Sequence, residues 1–187
     1  MNMKVLVAFE SKHGSTEGIA EFIGENMRAR GLDADVLDIR LIEVQNPNLG
    51  AYDALVIGSA LYMGQWMKEA KQFISENRTV LSTRPIWLFS SGPTGQERTN
   101  AKGQDLLDDK VSGPLDLDKI EKGLQIRGHR IFFGAFDPKD LDFFSRQLFK
   151  SKTIRDATPI GDFRDWKEIE SWSESIAQSL HGKKNPF

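Results

Sequence analysis

No cysteine occurs among the 187 residues. That excludes disulfide scaffolds, thiolate metal sites and cysteine nucleophiles, and it fits a reducing compartment. No apolar run approaches the roughly 18 residues that a membrane-spanning helix needs. Met1 to Lys4 lacks the basic region and cleavage site of a secretory leader and leads directly into an apolar pattern. An excess of one charge is missing too. Lys and Arg number 25 and Asp and Glu 27, a net −2, which argues against a basic nucleic-acid-binding protein. The three histidines, His13, His129 and His181, lie far apart, and such spacing does not make a metal cluster. Asp105, Asp108 and Asp109 read as a solvated loop. No Walker loop, no G-x-G-x-x-G and no nucleophile elbow of a Ser-His-Asp triad is present. The expectation is a soluble, cytoplasmic protein, one domain over residues 1–187, with no metal and no nucleic-acid partner.

What is there is an alternation of short apolar runs and helical patterns. Val5 to Phe9 is continuously apolar, as strands buried on both faces are. Ile19, Ile23, Met27 and Arg30 then share a helical face that Gly31 closes. Asp35 to Ile39 reads as an edge strand, Ala54 to Ile57 as a third strand ending at Gly58, and Ile86 to Phe89 as a fourth. Met67, Ala70, Phe73, Ile74 and Asn77 mark a helix between the last two. Ser90 to Leu117, and most distinctly residues 95–117, reads as a long, polar, mobile loop with at most one short helix. Asp118 to Glu121 has capping-box spacing for a helix ending at Gly128, before a fifth strand at Ile131 to Phe133. Asp137-Pro138 opens another helical pattern, and Asp165 to Glu168 opens a last helix with Trp166, Ile169, Trp172, Ile176 and Leu180 inward. The sum is an α/β fold with a five-stranded parallel sheet and helices on both faces.

In such sheets ligands bind beyond the carboxyl ends of the strands. The loop after strand one is Ser11-Lys12-His13-Gly14-Ser15-Thr16. Its hydroxyls, its glycine and the helix N-terminus behind it suit a phosphate, although Ser15 or Thr16 would equally serve as a helix cap. After strand three, Gly58 is followed by Ser59, Ala60, Leu61, Tyr62, Met63, Gly64, Gln65 and Trp66. Tyr62, Met63 and Trp66 there either wall an aromatic ring or form a satellite core. After strand four come Ser90, Ser91, Gly92, Pro93, Thr94 and Gly95, either a third arm of the same site or a plain turn. One phosphate without a dinucleotide motif points to a mononucleotide or a phospho-cofactor, and with an aromatic slot beside it to flavin mononucleotide, FMN.

At these residues the sequence resembles the flavodoxin superfamily. Ser11-x-x-Gly14-x-Thr16 is similar to that family's phosphate loop, and Tyr52 to Ser59 to its third strand entering the flavin loop. His13 stands where the family often has threonine. The chain looks most like the flavodoxin-domain group that includes menaquinone-dependent protoporphyrinogen dehydrogenase. Three features carry this: Gly58 to Gly64, a basic aromatic helix over Leu141 to Lys152, and Gly161-Asp162-Phe163-Arg164-Asp165-Trp166 before the last helix. The resemblance implies a flavodoxin-like doubly wound sheet of order 2-1-3-4-5 and FMN held by Ser11 to Thr16, Ser59 to Gly64 and Ser91 to Gly95. It implies a quinone or redox partner protein as acceptor and a small organic reductant, with protoporphyrinogen IX as the candidate. Gln96 to Pro114 and the segment after Gly134 are candidate substrate walls. Phe143 to Arg155 carries four basic residues and no acidic one among aromatic and aliphatic side chains. It suits peripheral contact with an anionic membrane surface, or a core-facing helix with solvated lysines. An electron carrier, an NAD(P)H-quinone reductase and a regulatory protein without FMN are the competing functions.

Overall fold

The computed structural model describes residues 2–45, 47–141, 146–147, 149–152 and 159–182. Six strands form its main sheet: β1 (Lys4–Glu10), β2 (Asp33–Asp38), β3 (Ala54–Tyr62), β4 (Gln65–Trp66), β5 (Pro85–Ser91) and β6 (Gln125–Phe132). Five run parallel in the order β2-β1-β3-β5-β6, while β4 folds back antiparallel on β3. With the short β4 arm set aside, this is the expected 2-1-3-4-5 order. The order in which strands are added reverses between β1 and β3, so the carboxyl ends of these parallel strands open a crevice there.

The apolar runs bury on both faces because successive side chains point to opposite sides. Val5, Val7, Phe9, Val56 and Phe89 meet Ile19, Ile23 and Met27 of the helix Ser15–Ala29 and Ile169, Trp172, Ile176 and Leu180 of the helix Trp166–Gly182. Leu6, Ala8, Leu55, Ile57, Ile86 and Leu88 meet Ala70, Phe73 and Ile74 of the helix Lys68–Glu76 on the other side. Gly58 admits the Phe89 ring so closely that a Cβ there would overlap it. Asp165 caps the last helix as its spacing predicts, its Oδ1 accepting from the amides of Lys167 and Glu168 at 3.0 and 3.1 Å.

Several boundaries differ from the sequence reading, each for a local reason. β3 does not end at Gly58 but continues to Tyr62, because Ser59 and Ala60 pair in register with Ser90 and Ser91. The segment after Gly58 is therefore a β-hairpin rather than an open loop. Its two-residue turn, Met63-Gly64, has φ of 52° and 73°, the left-handed pair of a type I′ turn. β6 starts at Gln125, not Ile131. It is an edge strand, and its half-exposed start mixes polar and apolar residues. The preceding helix is correspondingly short, Leu117–Glu121, and Gly123 rather than Gly128 follows its end with a φ of 74°. Asp137-Pro138 opens a single 3-10 turn, Pro138–Asp140. Trp166 lies at the surface, its ring edge-on to Phe22 at 5.0 Å. The stretch between β5 and β6 contains the short helix Asp109–Ser112, the buried side chain of Leu107 and a Thr99–Asp105 bridge. Most of Phe143 to Arg155 lies outside the described residues. Among the described residues no helix is long and apolar enough to cross a membrane.

Candidate functional site

A cavity of about 740 Å³ opens at the carboxyl ends of β1, β3 and β5. Its polar end is built by the loop after β1. Gly14, at φ 80°, precedes the helix Ser15–Ala29 and offers no side-chain cap. The first amides of that helix thus keep their positive end free for an anion, about half an elementary charge. Ser11 Oγ and Thr16 Oγ1 are buried there, and neither has a hydrogen-bond partner among the described residues. A buried hydroxyl without a partner costs about 1–3 kcal/mol. Two such groups lining one cavity are a site shaped for a ligand with acceptor oxygens.

Ser15 plays another part. Its Oγ lies 3.0 Å from Ser91 Oγ and accepts from the Ala135 amide at 2.8 Å. One oxygen so fastens the first helix to β5 and to the segment after β6. Gly134 sits tightly in this corner, where a Cβ would come within 3.3 Å of Ser15 Oγ and Ser91 Oγ. His13 turns its Nδ1 to the carbonyl of Asp140 at 3.1 Å and its ring edge toward Phe136. Lys12 places its Nζ 4.1 Å over the Tyr62 ring, joining the polar end to the hairpin.

Of the residues singled out from sequence, Ser11, Lys12, His13, Ser15, Thr16, Ala60, Leu61, Tyr62, Gly64, Ser91, Gly92, Pro93 and Thr94 line this cavity together. Gly14 borders a smaller pocket of about 290 Å³ behind the loop. Ser59 is buried below, its Oγ accepting from the Met67 amide at 3.0 Å. Met63 points to solvent, 85% exposed, and Gly95, at φ 132°, lies beyond the rim. Trp66 is not an aromatic wall. It turns into the core and donates from Nε1 to Ser90 Oγ at 2.8 Å.

The apolar walls of the cavity come from residues that the loop reading did not name one by one. Val111 and Ser112 arrive on the helix Asp109–Ser112, and Phe136, Leu141 and Phe149 from the chain after β6. Phe136 and Phe149 pack ring to ring at 5.3 Å. The sequence signal for them is the aromatic content of the basic segment and the reading of Gln96 to Pro114 and the chain after Gly134 as candidate substrate walls. Glu10 was missed outright. It ends β1 almost fully buried, and its Oε2 accepts from the Ala70 amide at 2.7 Å. Burial, and next the Glu69 carboxyl beside it, push its pKa up to about 7. Asp109 is also more than a solvated loop residue, since its carboxylate lies 2.8 Å from the ring of buried His129.

A family model described as "Flavodoxin domain" matches residues 6–156. The protoporphyrinogen IX dehydrogenase (quinone) of Escherichia coli strain K12 is 30% identical over 88 residues, 47% of this chain and 48% of that protein. The chain thus spans about half the length of the curated relatives it matches. A flavodoxin from the domain Archaea superposes with a TM-score of 0.57 at 15% identity, covering 96% of this chain and 99% of that one. Oxidised flavodoxin 2 from Bacillus cereus gives 0.57 at 18% identity, covering 94% and 99%. Rubredoxin oxygen:oxidoreductase from Desulfovibrio gigas gives 0.58 at 13% identity, covering 96% of this chain and 36% of its own.

Proposed function

This chain belongs to the flavodoxin-domain family, and on that premise we propose that it is an FMN-dependent oxidoreductase passing electrons from a reduced organic substrate to a quinone. The observation that carries the cofactor is the pair of buried hydroxyls, Ser11 Oγ and Thr16 Oγ1, without partners among the described residues at the start of a 15-residue helix. They would bind the phosphate, with the helix amides supplying the positive end of the dipole. When bound, FMN supplies the electron chemistry, which no amino-acid side chain performs.

The chain's own work is binding, orientation and exclusion of water. Ser15 holds the phosphate loop against β5 and the segment after β6. Ala60 to Gly64 and Ser91 to Thr94 flank the slot above it. Ser59, Met63, Gly14 and Gly95 belong to the proposed binding segments as backbone supports rather than as cavity walls. Val111, Phe136, Leu141 and Phe149 give the cavity apolar walls, which favour a flat, poorly soluble organic partner. Protoporphyrinogen IX as donor and a quinone as acceptor are the pair suggested by the relatives' activity. A carrier function, with a redox protein as partner, is the second reading. The exposed side chains of Tyr62, Met63 and Leu115 on and beside the hairpin favour it.

The test is an absorption spectrum of the purified protein with and without added FMN, followed by anaerobic mixing with protoporphyrinogen IX and then a menaquinone analogue. Flavin bands that bleach with the donor and return with the quinone are expected. Flavin that exchanges electrons only with a redox protein selects the carrier. No FMN binding at all overturns both readings.

A further inference from the structure

His129 is a buried histidine that the proposed electron transfer does not use. Its side chain is 2% exposed and sits on β6 between two other elements. Nε2 lies 2.8 Å from Ser90 Oγ on β5. That same oxygen accepts from Trp66 Nε1 at 2.8 Å. The serine proton is then free to point at Nε2, and the Asp109 carboxylate beside Nδ1 favours the imidazole proton on that nitrogen. Asp109 Oδ1 is 2.8 Å from Nδ1, close, though off the line of a well-directed N–H bond.

The two ends of this chain hold the two flanks of the cavity mouth. Trp66 closes the hairpin whose first strand carries Ala60 and Leu61. Asp109 begins the helix that carries Val111 and Ser112. The flanks also touch where the Leu115 amide donates to the Gly64 carbonyl at 2.9 Å. We propose that His129 is a positioning residue of the cavity mouth: neutral, with its proton on Nδ1, it clamps the hairpin to the Asp109–Ser112 helix, and its protonation loosens that clamp and weakens FMN binding. The second half of the proposal rests on the FMN reading above.

Burial, working against the charges at this spot, decides the direction. Asp109 comes from the wall helix, and beyond it Glu121 and Asp118 come from the helix Leu117–Glu121. Ser90 and Trp66 bring none. Burial outweighs the attraction of Asp109 and holds the imidazole below the ordinary histidine value of 6.5. The neutral clamp is therefore fully present at neutral pH and is lost as pH falls below 6.5 through the folded-state value. A protonated ring would also turn Nε2 into a donor. Ser90 Oγ would then face two N–H groups and have to re-aim its own proton away from the ring.

The test is a nitrogen-15 NMR titration of the FMN-loaded protein from about pH 8 to pH 5, following the His129 ring and the Trp66 indole N–H. FMN dissociation constants are measured alongside, with riboflavin as a control that lacks the ionising phosphate. We expect the Nδ1–H tautomer at high pH and a Trp66 shift sharing the His129 midpoint. Loss of one binding-competent protonation state weakens binding by up to tenfold per pH unit. FMN and riboflavin should both weaken in this way in the wild type, and His129→Gln, which accepts from Ser90 but does not titrate, should be nearly flat. An Nε2–H tautomer, a Trp66 signal indifferent to His129, or an unchanged pH profile in His129→Gln overturns the proposal. The wild-type titration decides it even where the variant does not fold. Absence of FMN binding at every pH defeats the cofactor reading instead, and the same titration on the ligand-free protein still decides the clamp.

Discussion

Thr16→Val separates two roles that most substitutions confuse. Valine has nearly the shape of threonine, and the side chain is fully buried, so the change removes a hydroxyl with little loss of packing. In the ligand-free protein that hydroxyl has no partner among the described residues. Relief of a buried unsatisfied group is worth about 1–3 kcal/mol, part of it offset by the imperfect fit of a β-branched apolar replacement. The variant should therefore be more stable than wild type without FMN, by about 1 kcal/mol. With FMN the sign reverses. A hydrogen bond to a charged phosphate contributes about 1.5–3 kcal/mol, so the dissociation constant should rise roughly 10- to 150-fold. Urea denaturation of the apoprotein and fluorescence titration with FMN read the two effects separately. A variant that is less stable without FMN and binds it undiminished would refute the assignment of Thr16 to the phosphate.

Gly14→Asp should hit affinity harder than it hits the fold. A Cβ at Gly14 meets nothing within 4 Å, and aspartate tolerates the left-handed backbone better than most residues, but its charge opposes a phosphate. FMN affinity should fall by about 3 kcal/mol or more, well beyond the roughly 1 kcal/mol that the left-handed backbone costs the fold, and undiminished binding would move the phosphate elsewhere. Glu10→Gln tests the buried carboxyl. A pKa raised from 4.5 to about 7 means that the folded protein holds a proton the unfolded chain has released, so stability falls as pH rises between those values. The lowered pKa of the neighbouring Glu69 acts below pH 4.5 and leaves the slope between 4.5 and 7 to Glu10. Denaturation midpoints of the glutamine variant should lose that slope, and identical slopes would show that Glu10 is not the titrating group. Gly58→Ala places a methyl group in the Phe89 ring and should destabilise by about 2–3 kcal/mol in thermal melts. A melt indistinguishable from wild type would show that the ring moves aside freely.

The central sheet was legible because Val5 to Phe9 and Ala54 to Ile57 bury both of their faces and leave uninterrupted apolar runs. β6 was nearly invisible for the opposite reason. As an edge strand it exposes much of Gln125 to Arg130, and its alternation is blurred by Gly128 and His129. The hairpin after β3 lacked the Asn-Gly signature of its turn type. Met63 occupies the position that asparagine usually takes. The polar end of the cavity could be read since Ser11, Gly14 and Thr16 lie within six residues. The apolar walls could not, because Val111, Phe136 and Phe149 come from separate segments that only the fold brings to one cavity. Spacing also hides which hydroxyls are engaged. Ser15 and Thr16 are neighbours with the same chemistry, yet one is held by two protein groups and the other by none among the described residues.

The Ser15 junction sets an order in time. Its single oxygen draws together residues 15, 91 and 135, so the loop after β1 reaches its final shape only after β5 and the chain beyond β6 have docked. During synthesis the first helix would leave the ribosome long before its partners do. Ribosome-held chains that end near residue 120 should therefore fail to retain FMN, while chains that expose all of the last helix should hold it. Loading with cofactor becomes a late checkpoint, one that reports a completed sheet rather than a finished loop.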